Sequence, residues 1–340
     1  MNLAVRYCGT PAGRVAYSVA GSGPPLLCET GWVSHLRAQL GLFGFGTFIE
    51  RLAERFTVIR YDKPGCGLSE RDSVDLSFDA QVATAVAVAN AVRADRFAMF
   101  GASQGGQIAA ALAARFPDRV EALVLYGMCA NGADLAPPDV AESIVSLVRA
   151  NWGLGLKMMA GIFIPDPSPD DIEMLARLQR ESASAEVGGR LLEVYYQTDI
   201  RPVLPAIGAR TAVLHREGDR ATPFKLGQEV AGLIPGAALF PLPGSSHLFY
   251  HGDWALVLDV MLGFLGEPAG GRVPLTTREL EVAGLVAEGL TNHSIALRLS
   301  IAPRTAEAHV ENIRRKLQVH SRAQIARWVT EHRIRTQAPR

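Results

Sequence analysis

Six residues limit the fold of this chain more than any others. Gly101–Ala102–Ser103–Gln104–Gly105–Gly106 ends an apolar run over residues 98–103 and leads into an Ala-rich helical stretch over residues 107–116. Glycine tolerates backbone conformations closed to other residues and lets a helix lie close against a strand. A strand running into such a turn and then a helix leaves Ser103 at the apex, outside the packed layers. It also begins a crossover, so the next apolar run, residues 120–127, is expected to lie parallel to the first.

The same rhythm extends both ways. Residues 15–20, 25–30 and 57–62 read as strands, with a helix over residues 78–93. Strands resume at residues 211–216 and 238–242, separated by a helix over 224–233 and followed by an amphipathic stretch over 254–265. Apolar strands separated by helices imply a mostly parallel sheet covered on both faces. Residues 131–202 differ: they carry helical patches at 140–148, 172–183 and 189–197, a break at Pro165–Asp166–Pro167–Ser168–Pro169, and no strand. A helical insertion between parallel strands suits a lid over a pocket. With 340 residues, 48% hydrophobic and 20% charged, the chain has material for two packed domains. Residues 266–273, with three glycines and a proline, read as a linker between domains at 1–265 and 274–340.

Ser103 has two partners in a telling chain order. Asp219 follows the strand at 211–216, and His247 follows the strand at 238–242. A serine, an acid and a histidine on loops at strand ends are what nucleophilic acyl transfer needs: a nucleophile, a group orienting the base, and the base. Together with Asp62–Lys63–Pro64–Gly65–Cys66–Gly67–Leu68–Ser69, these residues resemble the α/β-hydrolase fold over residues 13–265. The resemblance implies Ser103 as nucleophile, His247 as base and Asp219 as the acid that fixes the imidazole tautomer. It also implies an oxyanion hole from the backbone N–H of Gln104 and one from the loop after the third strand. That loop reads Glu29–Thr30–Gly31–Trp32–Val33–Ser34–His35, without the family's usual His-Gly, so its donor falls to Gly31 or Trp32. Losing one such donor costs on the order of a hundred- to a thousandfold in rate. Slow turnover, or binding without turnover, is therefore compatible with the residues.

Trp32, Trp152, Tyr195, Tyr196, Phe249 and Tyr250 read either as the wall of an apolar ligand pocket or as ordinary core. His35 and His251 read as ligand contacts or polar loop residues, and no histidine stands at a metal-ligand spacing. No metal or other cofactor is expected. Cys8, Cys28, Cys66 and Cys129 form no C-x-x-C pair and are expected as reduced, mostly buried thiols. The first residues lack a signal-like apolar segment and no run approaches a membrane span, so cytoplasmic residence without membrane contact is expected.

The formal net charge is zero, but its distribution is uneven. Residues 272–340 hold 12 Lys+Arg against 6 Asp+Glu, leaving 22 against 28 in residues 1–271. A basic tail on an acidic body places any nucleic-acid contact in the tail. There, Thr276 and Thr277 cap one helix, Gly289 ends it, and residues 292–299 form a second. A third carries Ala306, Val310, Ile313 and Leu317 as one apolar stripe, and a fourth runs over 321–331. The segment LTTRELEVAGLVAEGLTNHSIALRLSIAPRTAEAHVENIRRKLQVHSRAQIA, residues 275–326, resembles the LuxR-type (GerE-like) helix-turn-helix. The resemblance implies a recognition helix over 304–317, with Glu307, Ala308 and Glu311 at base edges. It places Arg304, Thr305, His309, Asn312, Arg315, Lys316, Ser321 and Arg322 on the same DNA-facing side or at phosphates. It further implies a homodimer on an inverted-repeat operator, and it allows RNA polymerase as a partner. Carboxylates on a DNA-reading face accept from cytosine amino groups.

The expectation from the whole chain is a transcriptional regulator controlled by a small, apolar molecule in the hydrolase-like domain, with slow hydrolysis of that molecule as an accompaniment. The alternative is a working serine esterase or lactonase carrying a DNA-binding tail. A third reading leaves the hydrolase fold as a dimerisation scaffold only.

Overall fold

A computed structural model of the chain describes residues 4–72, 75–266, 275, 277–299, 301–317 and 321–336, apart from the side chains of 315–317 and 330–336. The residues form two compact units, Met1–Leu262 and Gly263–Arg340. Most of the linker expected over residues 266–273, together with Thr276 and the side chains of Arg315, Lys316 and Leu317, lies outside the described residues.

The first unit is built on eight strands. They are β1 (Val5–Thr10), β2 (Gly13–Ala20), β3 (Pro25–Thr30), β4 (Thr57–Tyr61), β5 (Phe97–Ala102), β6 (Val120–Tyr126), β7 (Arg210–Arg216) and β8 (Ala238–Leu242). Their order across the sheet is β1-β2-β4-β3-β5-β6-β7-β8. The β1/β2 and β2/β4 pairings are antiparallel and all others parallel. Helices α1 (Phe45–Ala53), α2 (Phe78–Ala91) and α3 (Gln104–Arg115) connect β3 to β4, β4 to β5 and β5 to β6. Between β6 and β7 come α4 (Pro138–Ala150), α5 (Trp152–Phe163), α6 (Pro169–Ser182) and α7 (Ala185–Gln197). Finally α8 (Phe224–Leu233) joins β7 to β8, and α9 (Trp254–Leu265) follows. This is the α/β-hydrolase architecture expected from the sequence.

Two cores hold the sheet. On one face Leu27, Met99, Leu123 and Val213 from the central strands pack against Val82, Ala85, Ile108 and Leu112 of α2 and α3. On the other, Phe249 sits at the centre of an aromatic cluster, 5.0 Å from both Phe48 and Phe100 and 5.9 Å from Tyr126. Rings meeting edge to face bury large apolar area at low entropic cost.

Three elements differ from the sequence reading. Strand β1 was not apparent, because it is an edge strand with mostly partly exposed or exposed residues and so shows no apolar alternation. Helix α3 starts at Gln104, three residues before the expected 107, so Gly105 and Gly106 lie inside it. Glycine is a poor helix former; close packing against the sheet overrides that preference here. Helix α5, not among the helical patches expected from the sequence, is capped by Asn151, whose side chain accepts from the Leu154 N–H. Its Trp152-Gly153-Leu154-Gly155 start conceals the helical period.

The second unit contains α10 (Thr277–Ala287), α11 (Asn292–Leu299), α12 (Pro303–Leu317) and α13 (Arg322–Thr336). Val282, Val286, Ile295, Ala306, Val310, Ile313 and Ile325 form its core. No described helix is long and apolar enough to cross a membrane.

Candidate functional site

Backbone geometry presents Ser103. Its φ of 54° and ψ of −128° are a conformation that a side-chain-bearing residue adopts only under constraint, at about 1–3 kcal/mol. The constraint comes from both sides of the turn. The Ser103 N–H donates to Tyr126 O at 2.9 Å, and its carbonyl accepts from the Gly106 N–H at 2.8 Å. Two glycines make room: a Cβ at Gly101 would lie 2.6 Å from Ala109 Cβ, and one at Gly105 would lie 2.3 Å from Glu29 O. No other residue fits either place without moving backbone.

Asp219 and His247 meet at the strand ends. His247 Nδ1 and Asp219 Oδ2 are 2.8 Å apart, and both residues are buried. The other oxygen, Oδ1, accepts from the N–H groups of Ala221 and Thr222 at 2.9 and 3.0 Å. Burial alone would raise the Asp219 pKa, but the charge and hydrogen bond of His247 and the Thr222 N–H outweigh it and hold it below 3.8. The carboxylate therefore stays ionised and fixes a proton on Nδ1, which leaves Nε2 as the acceptor. Phe163, at the end of α5, stacks on the imidazole at 5.4 Å, and its carbonyl accepts from the His247 N–H at 2.7 Å.

A second histidine lies behind the pair. His215 is fully buried, its Nε2 2.7 Å from Thr222 O and 3.8 Å from Asp219 Oδ2. Burial pushes its pKa below 6.5, and neither the Thr222 carbonyl nor the Asp219 charge offsets this. Its folded pKa is thus lower than its unfolded one, so its contribution is complete above about pH 6.5 and is lost as pH falls below that value. We expect the urea midpoint to fall as pH is lowered from 7 towards 5, and His215→Gln to flatten that dependence. An equally steep fall in the variant would assign it to other groups.

The loop after β3 is anchored by charge. Lys63 Nζ lies 3.1 Å from Glu29 Oε1, with both side chains 2% exposed, and donates to Gly31 O at 2.5 Å and to Gln104 Oε1 at 3.2 Å. Gln104 Nε2 in turn donates to Leu191 O of α7 at 2.9 Å, and Trp32 Nε1 to Gly188 O at 3.0 Å. The sequence reading missed Lys63 and Glu29. The available signal was a pair of opposite charges at the ends of two apolar strands, β3 and β4, which pair in parallel with Cys28 beside Arg60.

A cavity of about 60 Å³ opens beside Ser103 and His247, walled by Trp32, Phe163, Leu175, Leu178, Phe249 and Tyr250. Of the proposed pocket residues, Trp32, Phe249 and Tyr250 line it, while His35, Trp152 and Tyr195 do not. His35 Nδ1 accepts from the Arg37 and Ala38 N–H groups and shapes its own turn. Trp152 packs edge-on to Trp32 at 5.9 Å, one layer back. Tyr195 is absent from the cavity wall, and its hydroxyl lies 3.6 Å from Cys129 Sγ. Burial, reinforced by Cys129, keeps its phenol protonated well above the usual range. All four cysteines are free, and burial pushes the thiols of Cys28, Cys66 and Cys129 up to about 12.

In the second unit α12 buries Ala306, Val310 and Ile313 and exposes Arg304, Thr305, Glu307, Ala308 and Glu311, with His309 and Asn312 half-buried at the boundary. Glu311 pairs with Arg314 at 3.1 Å. Ser321 is exposed and takes the Gln324 N–H on its hydroxyl at 3.3 Å. Arg322 is half-buried and spends its guanidinium on Asn292 Oδ1 and Leu290 O, at 2.6 and 2.5 Å, bracing α13 against α11.

Comparison with known proteins gives the same division. Residues 24–253 match the alpha/beta hydrolase fold family, and residues 273–329 match the bacterial regulatory proteins of the luxR family. The chain is 26% identical over 241 residues to a pimeloyl-acyl-carrier-protein methyl ester esterase of Nitrosomonas europaea, covering 67% of this chain and 90% of that one. Over 60 residues it is 42% identical to the nitrate/nitrite response regulator protein NarL of Escherichia coli, covering 18% of this chain and 28% of that one. The enol-lactonase of Burkholderia xenovorans superposes with a TM-score of 0.69 at 21% identity, covering 77% of this chain and all of that one. At that identity the likeness establishes the fold. The chain belongs to the alpha/beta hydrolase fold family, and it carries beyond that domain the LuxR-type helix-turn-helix of DNA-binding regulators.

Proposed function

We propose that this DNA-binding regulator adjusts its affinity for DNA to a small ester held beside Ser103, and that it hydrolyses the ester slowly. The observation that carries this reading is the assembled Asp219–His247 pair beside a strained Ser103 at one cavity. A hydrolase fold that served only as a scaffold has no need of it.

The chemistry follows from the geometry. Ser103 Oγ attacks the ester carbonyl while His247 Nε2 takes its proton, and Asp219 supports the imidazolium. The oxyanion is received by the backbone N–H groups of Gln104 and Trp32. His247 returns the proton to the departing alkoxide; a water, activated by the same imidazole, then releases the acid and restores Ser103. The insertion over residues 131–202 acts as the lid. The names of the esterase and the lactonase support an oxygen ester as substrate class. DNA is read by α12 in a homodimer on an inverted repeat, from which RNA polymerase could be contacted. The second reading, an esterase or lactonase whose DNA-binding tail only locates it, is favoured by the same Asp219–His247 pair.

A fluorophosphonate probes these claims together, because it needs an activated serine and then occupies the cavity covalently. We expect modification of Ser103 alone, none in Ser103→Ala, and a change in DNA affinity of at least fivefold in the modified protein. Unmodified Ser103 would sink hydrolysis; modification with unchanged DNA affinity would sink ligand control and leave the enzyme with a tail. DNA affinity should also fall with salt at a log–log slope of about −0.9 per phosphate contacted. A slope near zero would remove the basic second unit from the interface.

A further inference from the structure

The cavity beside Ser103 has polar lining residues that the proposed mechanism does not use. Thr30, Gln39 and Gln179 line it together with the apolar walls. Gln39 comes from the loop after β3 and Gln179 from α6 of the insertion, so the sheet domain and its insertion each contribute one carboxamide.

The orientation of the first amide is fixed. Arg60, buried against the Phe45 ring at 4.7 Å, donates to Gln39 Oε1 at 2.9 Å. A guanidinium has no acceptor, so the oxygen of Gln39 must face it and the Nε2 donor must face away. That Nε2 lies 3.5 Å from Thr30 Oγ1, a weak contact that leaves donor capacity for another acceptor. In the second amide the oxygen is unsatisfied. Gln179 is 2% exposed, and its Oε1 is buried without a hydrogen-bond partner. Its neighbours in the wall, Leu175 and Leu178, offer no donor side chain. A buried acceptor left unpaired is costly, and such groups in native proteins are commonly completed by a ligand or an ordered water.

The geometry points to a secondary amide as the group recognised there, so that the substrate is a short ester carrying an acylated amine in its acyl part. The amide C=O accepts from Gln39 Nε2 and its N–H donates to Gln179 Oε1. One neutral planar group thus supplies both partners without placing charge in an apolar cavity. A cavity of about 60 Å³ suits a short acyl part. Gln39 and Gln179 then determine specificity, and the ester carbonyl is left to Ser103. This inference rests on the proposed hydrolytic site, but its test does not need turnover.

The test compares N-acetylglycine methyl ester with methyl pentanoate, which has the same chain length and no amide. Binding of each to full-length Ser103→Ala is measured by ligand-observed NMR titration. We expect the amide ester to bind about tenfold more tightly, the effect of a neutral hydrogen-bond pair in a dry site. Gln179→Leu, nearly the same size, should erase that preference while keeping the affinity for methyl pentanoate and the melting temperature. Equal affinities in the parent site, no saturable binding of either ester, or a preference that survives Gln179→Leu each overturns the proposal. Should Gln179→Leu melt early, Gln39→Met in the same assay decides, with the same loss of preference expected. Failure of the fluorophosphonate to modify Ser103, with the amide preference intact, would instead overturn hydrolysis and leave the subsite standing.

Discussion

Asp219→Asn is expected to slow fluorophosphonate modification of Ser103, and hydrolysis of any ester substrate, by about 10⁴-fold. The fold should be untouched. Asp219 Oδ1 takes two backbone N–H groups, from Ala221 and Thr222, and only an oxygen can fill that place. In the variant the oxygen stays there and the new NH₂ group faces His247 Nδ1, where Oδ2 now stands at 2.8 Å. A donor at that point forces the imidazole proton to Nε2. The ring is then unable to accept from Ser103, although every heavy atom remains in place. The measurement is the pseudo-first-order rate of modification at pH 7.5, beside a melting curve. A rate within tenfold of the parent, at an unchanged melting temperature, would show that Asp219 does not set the tautomer.

Lys63→Met carries the largest expected effect on stability. It leaves the Glu29 carboxylate buried without its 3.1 Å partner, and breaking a buried pair in this way costs about 3–5 kcal/mol. It also releases the carbonyl of Gly31 and the side chain of Gln104, the two segments assigned the oxyanion donors. Urea denaturation should show the loss. Modification of Ser103 should slow in conditions where the variant is still folded. Glu29→Gln added to Lys63→Met removes the orphaned charge and should recover part of the stability but not the rate. A single variant as stable as the parent would mean that the pair contributes nothing net. Recovery of both quantities together would mean that the loop needs neutrality rather than an anchor.

The sequence by itself determined the layers and their order. Apolar runs at 25–30, 57–62 and 98–103, separated by helical stretches, permit little except a parallel sheet between helices. Ser103, Asp219 and His247 were legible for a related reason, since each sits just beyond a strand in the order that the resemblance to the α/β-hydrolase fold implies. The stripe of Ala306, Val310 and Ile313 likewise marks the buried face of α12. Each of these rests on a pattern that is local in the chain, an apolar run or stripe and the residues just beyond it.

Tertiary structure decided what depends on distant neighbours. It showed Tyr195 beside Cys129 rather than beside the cavity, because the face that α7 turns inward follows from how four inserted helices pack, and no periodicity specifies that. It gave β1 a place in the sheet that its exposed residues do not advertise. It brought Lys63 to Glu29, residues 34 positions apart, and turned an apparent gap in the loop after β3 into an ion-paired anchor. It also left the oxygen of Gln179 without a partner. Whether a polar group is satisfied depends on everything around it in three dimensions, and a sequence records only what stands beside it along the chain.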